Sequence, residues 1–292
     1  MTATVTVNAR TESSVTLLTT ARGAAERVAA RLVAIPMRSM ATTGRSVHLA
    51  LAVLRYAVVD TVKLRIPVGE MIVQAWGLLK VTATPALLMA IPIGAMVSVQ
   101  VSGLVNQVGA SSLVGAASGV GVIRQGAAIT AGLLMGGAAA SAIASDLGAR
   151  QIREELDALR VLGIDPVRRL VVPRFLALIM IAPILCTLII ASAVGAAFML
   201  AVTVSDVTSG SFWMSFGSFA KMVDVWFAMG KAVIFGAIVA VISSQRGMEA
   251  KGGPRGVADA VNSSVVLNVV GIVLVNLVMT QLQAMFFPME VS

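Results

Sequence analysis

The sequence predicts an all-α integral membrane protein, five transmembrane helices preceded by an interfacial helix, and three observations carry that prediction. Val81–Ile123, Gln125–Ser145, Phe175–Ser205, Ala232–Gln245 and Ala260–Met289 contain no charged residue, and most exceed the ~18 residues at which an apolar run reads as a membrane span. Charged residues make up 12% of the chain and the mean hydropathy is +0.92, whereas an ordinary soluble domain is about 25% charged. The Lys and Arg residues are also distributed unevenly, with ten in 1–80, six in 146–174 and three in 246–259, out of 22.

Residues 1–40 read as a tail carrying an amphipathic helix, "TESSVTLLTTARGAAERVAARLVAIP". It lacks the apolar core and cleavage site of a signal peptide, so the N-terminus is expected to stay on and to stay cytosolic. From Arg45 to Asp60 basic and apolar residues alternate at helical spacing, followed by "RIPVGEMIVQAWGLLK". This whole stretch reads as an interfacial helix with Arg45, Arg55, Lys63, Arg65 and Lys80 near anionic headgroups. A positive flank that merely sets topology explains the same residues. The first uncharged run is too long for one helix and "NQVGASS" at 106–112 divides it, giving a span over 82–106 and a re-entrant or interfacial piece. Residues 110–123 are the candidate for a sixth span. The remaining spans fall at 124–147, 174–204, 226–246 and 261–287, with Lys231 long enough to snorkel. With five spans the three basic segments face the cytosol and "FFPMEVS" faces outward, as the positive-inside rule requires.

The longest charged segment is "ARQIREELDALRVLGIDPVRRLVVPR", Ala149 to Arg174, between two apolar runs. Arg150 to Leu162 is expected to form a short amphipathic helix with Ile152, Leu156 and Leu159 on one face. Arg150 with Glu154, and Arg153 with Asp157, have i,i+4 spacing worth about 0.2–0.5 kcal/mol each. Gly163 closes that helix, Asp165 caps the next, Pro166 is its first residue, and Pro173 starts the third span. Arg168 and Arg169 then sit in a first turn, where the helix dipole disfavours cations, so headgroup phosphate or an acidic partner is expected to compensate. A defined apolar face flanked by charge, outside the bilayer, points to docking of a second protein.

The inventory excludes several chemistries. No HExxH, no GxSxG with a usable histidine and no Walker A motif is present, so catalysis is disfavoured and any energy source is another polypeptide. No Asp or Glu falls within a proposed span interior, which disfavours an ion-coupled carrier. Cys186, alone in an apolar run, reads as a small core hydrophobe, and His48 as interfacial. No metal site or cofactor is predicted in this chain, and no aromatic-interleaved basic patch argues for nucleic acid. Gly115/Gly119 and Gly132/Gly136 let helices approach closely, and Asn268 with Asn276 share a face suited to interhelical hydrogen bonds. Met89 and Met96 in the first span and Met279 and Met285 in the last offer soft apolar surface.

"REELDALRVLGIDPVRRLVVPRFLA" resembles the signature of the MlaE/YrbE permease family, and "SAIASDLGARQIREELDAL" resembles its second span entering that loop. The resemblance covers roughly 45–287, is most specific at 141–175 and leaves 1–40 outside, so 41–292 reads as the permease domain. It implies an ABC-type lipid transporter of two permeases, two cytosolic ATPases that bind ATP and Mg, and a periplasmic MCE-domain assembly. The chain itself would then be a transport subunit of the bacterial inner membrane and no enzyme. Carried over, Glu154 to Leu159 (Glu154, Glu155, Leu156, Asp157 and Leu159), with Ile152 and Arg153 before them, form the ATPase-coupling helix. Gly163 to Pro166, with Asp165, form its exit turn. Arg124 matches the Arg of a family Arg-Glu pair near the lipid pocket, with Gln125 in place of the acid. Met89 and Met96 complete the candidate pocket. The family's AGRAGS stretch corresponds to Gly136–Ser141, which has no charge here. These departures resemble the actinobacterial YrbE type and its B-type partner, which implies a heterodimer in an Mce lipid importer for fatty acids, mycolic acids or sterols. A subunit that mainly anchors the MCE assembly is the alternative.

Overall fold

The computed structural model describes residues 44–60, 68–107, 109 and 113–286. The tail at 1–40, Lys63, Arg65, most of the "NQVGASS" stretch and the C-terminal "FPMEVS" after Phe286 lie outside them. The chain divides into a unit up to Leu49, of which 44–49 are described, and a second unit from Ala50 onward. The first described helix, α1 at 44–60, crosses that boundary.

The second unit is almost entirely helical over its described length, with short turns between the helices. It contains five helices long and apolar enough to cross a membrane: α2 (Val68–Gln107), α3 (Val114–Ile152), α5 (Val167–Thr203), α7 (Met222–Met248) and α8 (Pro254–Phe286). Two short helices, α4 (Glu155–Val161) and α6 (Ser209–Phe219), lie in the connections after α3 and α5. One end of the bundle thus carries α4 and the 249–253 turn. The opposite end carries Gly109, Leu113 and α6.

The spans begin earlier than charge alone indicates. Helix α2 starts at Val68, not at residue 82, so "VGEMIVQAWGLLK" continues the first span rather than the interfacial helix. At 1.5 Å per residue its 40 residues reach about 60 Å, twice the ~30 Å hydrocarbon layer. Glu70 and Lys80 are therefore accommodated beyond the apolar slab. Lys80 there stacks over Trp76, 5.1 Å from its ring centroid. Likewise α3 begins at Val114 and absorbs the piece read as re-entrant, which removes the sixth-span option. Helix α5 begins at Val167 instead of 174, so Arg168 and Arg169 sit inside the first turns of a span.

Small residues allow close packing. Along α2 the buried stripe Ala75, Leu78, Thr82, Ala86, Ala90, Gly94, Ser98 and Ser102 recurs every three or four positions. It lies against α5: a methyl group on Gly94 would fall 2.1 Å from the Ala193 carbonyl oxygen, and Ser98 Oγ donates to Ala197 O at 3.0 Å. Gly115 and Gly119 close on Phe212 and Phe216 of α6, and Gly132 and Gly136 close on Phe235 of α7 and Ile272 of α8. Both glycine pairs therefore serve contacts within the chain. Phe198, Phe212, Trp213 and Phe216 form an aromatic cluster that anchors α6. Asn268 Nδ2 donates to Ser243 Oγ at 2.9 Å, tying α8 to α7. The Oδ1 atoms of Asn268 and Asn276 are both buried with no hydrogen-bond partner among the described residues. Cys186 is buried, and His48 is exposed.

Three π-turns interrupt the spans, at Val122–Gly126 and Met135–Ala139 in α3 and at Val167–Val171 in α5. Such turns occur mostly as isolated insertions and often at functional positions.

Candidate functional site

Two clusters of polar side chains stand out, one at each end of the bundle. The first surrounds α4. Helix α3 runs unbroken through Arg150 to Ile152, and the chain turns at Glu154, which adopts φ 60°, a left-handed conformation. For a residue with a Cβ this is a costly backbone state, of order 1–3 kcal/mol. The kink ends the helix expected from Arg150 and restarts it at Glu155 in a new register. The i,i+4 pairs expected of Arg150 and Arg153 therefore do not form. Arg150 instead lies 3.3 Å from Asp146 and 3.5 Å from Glu155, Arg153 lies 3.1 Å from Glu155, and Asp157 pairs with Arg160 at 2.7 Å.

The same bend breaks up the apolar face expected of Ile152, Leu156 and Leu159. Leu156 is fully buried in the chain's own core, and Ile152 and Leu159 are half-buried. The apolar side chains that project outward are Val161 at 89% exposure, Leu162 at 72% and Ile164. The exit turn has the expected construction. Gly163 has φ 73°, its N–H donates to Arg160 O at 3.0 Å, and Ile164 N–H donates to Leu159 O at 2.9 Å, closing α4 in a Schellman arrangement. Asp165 Oδ1 then accepts from Val167 N–H at 2.9 Å, capping α5.

The arginines after that cap find acids within the chain itself. Arg168 grips Asp60 of α1 with two donors, Nε lying 2.9 Å from Oδ2. Arg169 lies 3.5 Å from Glu70 of α2. Arg174, almost wholly buried, donates to Leu170 O at 2.8 Å and pairs with Asp146. Tyr56 shares a cleft with Asp165, and that carboxylate holds the phenol above its ordinary titration range. Two clefts flank the exposed apolar tip. One of about 380 Å³ is lined by Glu70, Arg150, Glu155, Leu159, Leu162 and Arg169, and one of about 480 Å³ by Tyr56, Asp60, Ile164, Asp165 and Arg168.

The second cluster lies at the opposite end, inside the bundle, and most of it was not anticipated. Arg124 stands in the first π-turn of α3, with Nε 2.8 Å from Asp224 Oδ1 in the first turn of α7. Lys231, two turns further along α7, does not snorkel; it is 0% exposed. Its ammonium donates to Gln283 Oε1 at 2.8 Å, to Arg124 O at 3.2 Å and to Thr280 Oγ1 at 3.3 Å. Those three acceptors match its three donors. Gln283 Nε2 donates onward to Asp224 Oδ1 at 3.1 Å, and Gln125 Nε2 to Thr280 Oγ1 at 3.2 Å. Asp224 thus corrects the expectation that no acid enters the spans: it is 3% exposed within α7. The seven-residue interval between Asp224 and Lys231 was the available signal, since it places both on one helical face. The cluster holds two cations and one acid. Met89 and Met96 are about half exposed, whereas Ile93 and Val97 are the α2 side chains that lie over Gly126 and Gly121. The methionines therefore face away from the chain's interior and do not line a pocket with Arg124 and Gln125 inside it. No group of three or more His, Cys, Asp or Glu placed to hold a metal occurs among the described residues.

Comparison with known proteins bears on both clusters. The family model for Permease MlaE matches residues 71–282, a range that contains α4 and the Arg124–Asp224–Lys231 cluster. A probable ABC transporter permease of Synechocystis is 28% identical over 65% of this chain and 73% of its own length. The chloroplastic protein trigalactosyldiacylglycerol 1 of Arabidopsis thaliana is 29% identical over 60% of this chain and 50% of its own. A probable ABC transporter permease of Rickettsia typhi is 30% identical over 53% and 60%. The chain thus spans only about half of the chloroplastic relative.

Proposed function

The chain belongs to the Permease MlaE family, and from that premise we propose that it is the membrane subunit of an ATP-driven lipid importer of the Mce type. The energy enters through a separate ATPase dimer that docks on the connection between α3 and α5. The observation that carries this reading is the apolar tip Val161–Leu162–Ile164, exposed outside the spans between two clefts lined by charge. Exposed aliphatic side chains ringed by polar groups mark a protein contact surface. The docking face therefore consists of these three residues, with Leu159 at its edge and Leu156 supporting it from within.

The same reading places the basic end in the cytosol and the other end in the periplasm of a bacterial inner membrane, by the excess of Lys and Arg at the former. A second YrbE-type permease completes the pathway, and MCE-domain proteins deliver lipid from outside. Two cations against one acid favour an anionic headgroup beside Arg124, whose guanidinium is the less enclosed of the two cations. Lys231, with every donor engaged, shapes the cluster instead. ATP and Mg belong to the partner ATPase.

The test is to coexpress the chain with its neighbouring ATPase and permease genes and to purify through a tag on this chain. The double substitution Val161→Asp/Leu162→Asp is expected to lose the ATPase while the chain still inserts. Intact copurification with unaltered lipid uptake would overturn the docking assignment. Mass spectrometry of copurified lipid identifies the substrate.

A further inference from the structure

Helix α1 carries Tyr56 and Asp60 four residues apart, on one helical face. Both reach the segment that follows the exit turn of α4. Tyr56 lines one cleft with Asp165, and Asp60 takes the forked guanidinium of Arg168. Asp165 and Arg168 are three residues apart at the start of α5, again on one face. The Asp60–Arg168 ion pair joins the two faces, and the cleft of about 480 Å³ is lined by all four of these residues. The elements are thus held by a forked side-chain contact beside open space. Asp60 is buried while Arg168 is half exposed, and a two-donor guanidinium–carboxylate contact fixes orientation as well as distance.

We propose that the Asp60–Arg168 contact is a clasp that makes α1 and the connection from Glu154 to Pro166 move as one body, so that displacement of the connection is passed to the interfacial helix. Gly163 and the left-handed Glu154 bracket the connection with its two sharpest bends, and the clasp lies just beyond the second. A push on the Val161–Leu162 tip then has a rigid route into α1 in addition to the route into α5. Arg168 and Asp60 are positioning residues in this device. The transmission half of the proposal rests on the docking reading; the rigid-body half does not.

The experiment uses the full chain in liposomes, with Cys186→Ala and spin labels at Leu51→Cys and Asp157→Cys, diluted with unlabelled protein. A single narrow distance distribution is expected for the parent. Asp60→Arg or Arg168→Asp alone should at least double its width, and the pair Asp60→Arg/Arg168→Asp should restore it. Asp60→Asn serves if a reversal fails to fold, giving partial broadening. Equal widths in all variants, or no rescue by the swap, overturn the clasp. A bimane label at Leu51→Cys, read with the copurified ATPase trapped by ATP and vanadate, tests transmission. A spectral shift is expected in the parent and the swap, and none in Arg168→Asp. If the ATPase does not copurify with the parent, the docking reading fails while the distance data still decide the clasp. If it copurifies and Arg168→Asp keeps the full shift, the clasp fails and docking stands.

Discussion

Removing the acid from the Arg124–Asp224–Lys231 cluster should cost far more than removing the fully buried cation. In Lys231→Met the protein loses three hydrogen bonds from a charged donor, each worth about 1.5–3 kcal/mol. It also escapes the desolvation of an ammonium, several kcal/mol in practice. Met fills most of the lysine volume, and Arg124 and Asp224 remain as a balanced pair at 2.8 Å. The two large terms nearly cancel, so a net change within about 2 kcal/mol is expected. Asp224→Asn keeps the shape but leaves Arg124 and Lys231 as uncompensated buried cations, the situation that costs about 3–5 kcal/mol. Every 1.4 kcal/mol is tenfold, so the folded population of Asp224→Asn should fall by more than a hundredfold relative to the parent. Reversible unfolding in mixed micelles of rising SDS content, followed by Trp fluorescence, measures both. The double substitution Asp224→Asn/Lys231→Met should recover part of the loss, because one of the stranded charges is gone. An Asp224→Asn variant as stable as the parent, or a Lys231→Met variant worse than Asp224→Asn, would refute this electrostatic account.

Other outcomes follow from local geometry. Gly115→Ala places a methyl group 2.2 Å from the Phe212 carbonyl oxygen, so α6 must shift at a cost of about 1–3 kcal/mol, read as faster proteolysis between α5 and α7. Gly137→Ala in the same helix meets nothing within 4 Å and should be neutral or stabilising by up to about 1 kcal/mol in the same SDS assay. Leu156→Ala should destabilise the chain by about 2–5 kcal/mol without lowering ATPase copurification of the folded fraction, the reverse of Val161→Asp/Leu162→Asp. Tyr56 is the only tyrosine in the chain, so absorbance at high pH titrates it alone. Its phenol, raised by the nearby Asp165 carboxylate, should ionise above the usual pKa of about 10 and return toward that value in Asp165→Asn. Because the folded pKa is the higher one, the Tyr56–Asp165 contact contributes fully below pH 10 and is lost as pH rises through the raised value.

Spans are legible because a charge in hydrocarbon is so unfavourable that about twenty apolar residues without one identify a crossing. Their ends are not legible by the same rule: Glu70 and Lys80 marked a boundary for charge, while the backbone of α2 simply continues past the bilayer. The Gly163–Ile164–Asp165 turn was readable because each residue acts on its immediate neighbours. The bend at Glu154 was not, since no glycine or proline announces it, and without it the face of α4 points the wrong way. Hardest to read was the link between Arg124, Asp224 and Gln283, drawn from three different spans and joined only by tertiary packing. The Asp224–Lys231 interval hinted at a shared face, but nothing local says what that face meets.

The two π-turns of α3 have a consequence for anyone drawing this span as a single helical wheel. Each inserts one residue into the winding, and an added residue turns everything beyond it by about 100°. Helix α3 is therefore three short wheels in series, at Val114–Gly121, Ala127–Leu134 and Ala140–Ile152, each with its own compass. That is how one span presents glycines first to α6 and then to α7 and α8. A substitution map of α3 projected on one continuous wheel would scatter its sensitive positions around the whole circumference, and would gather them into sectors only when cut at residues 122–126 and 135–139.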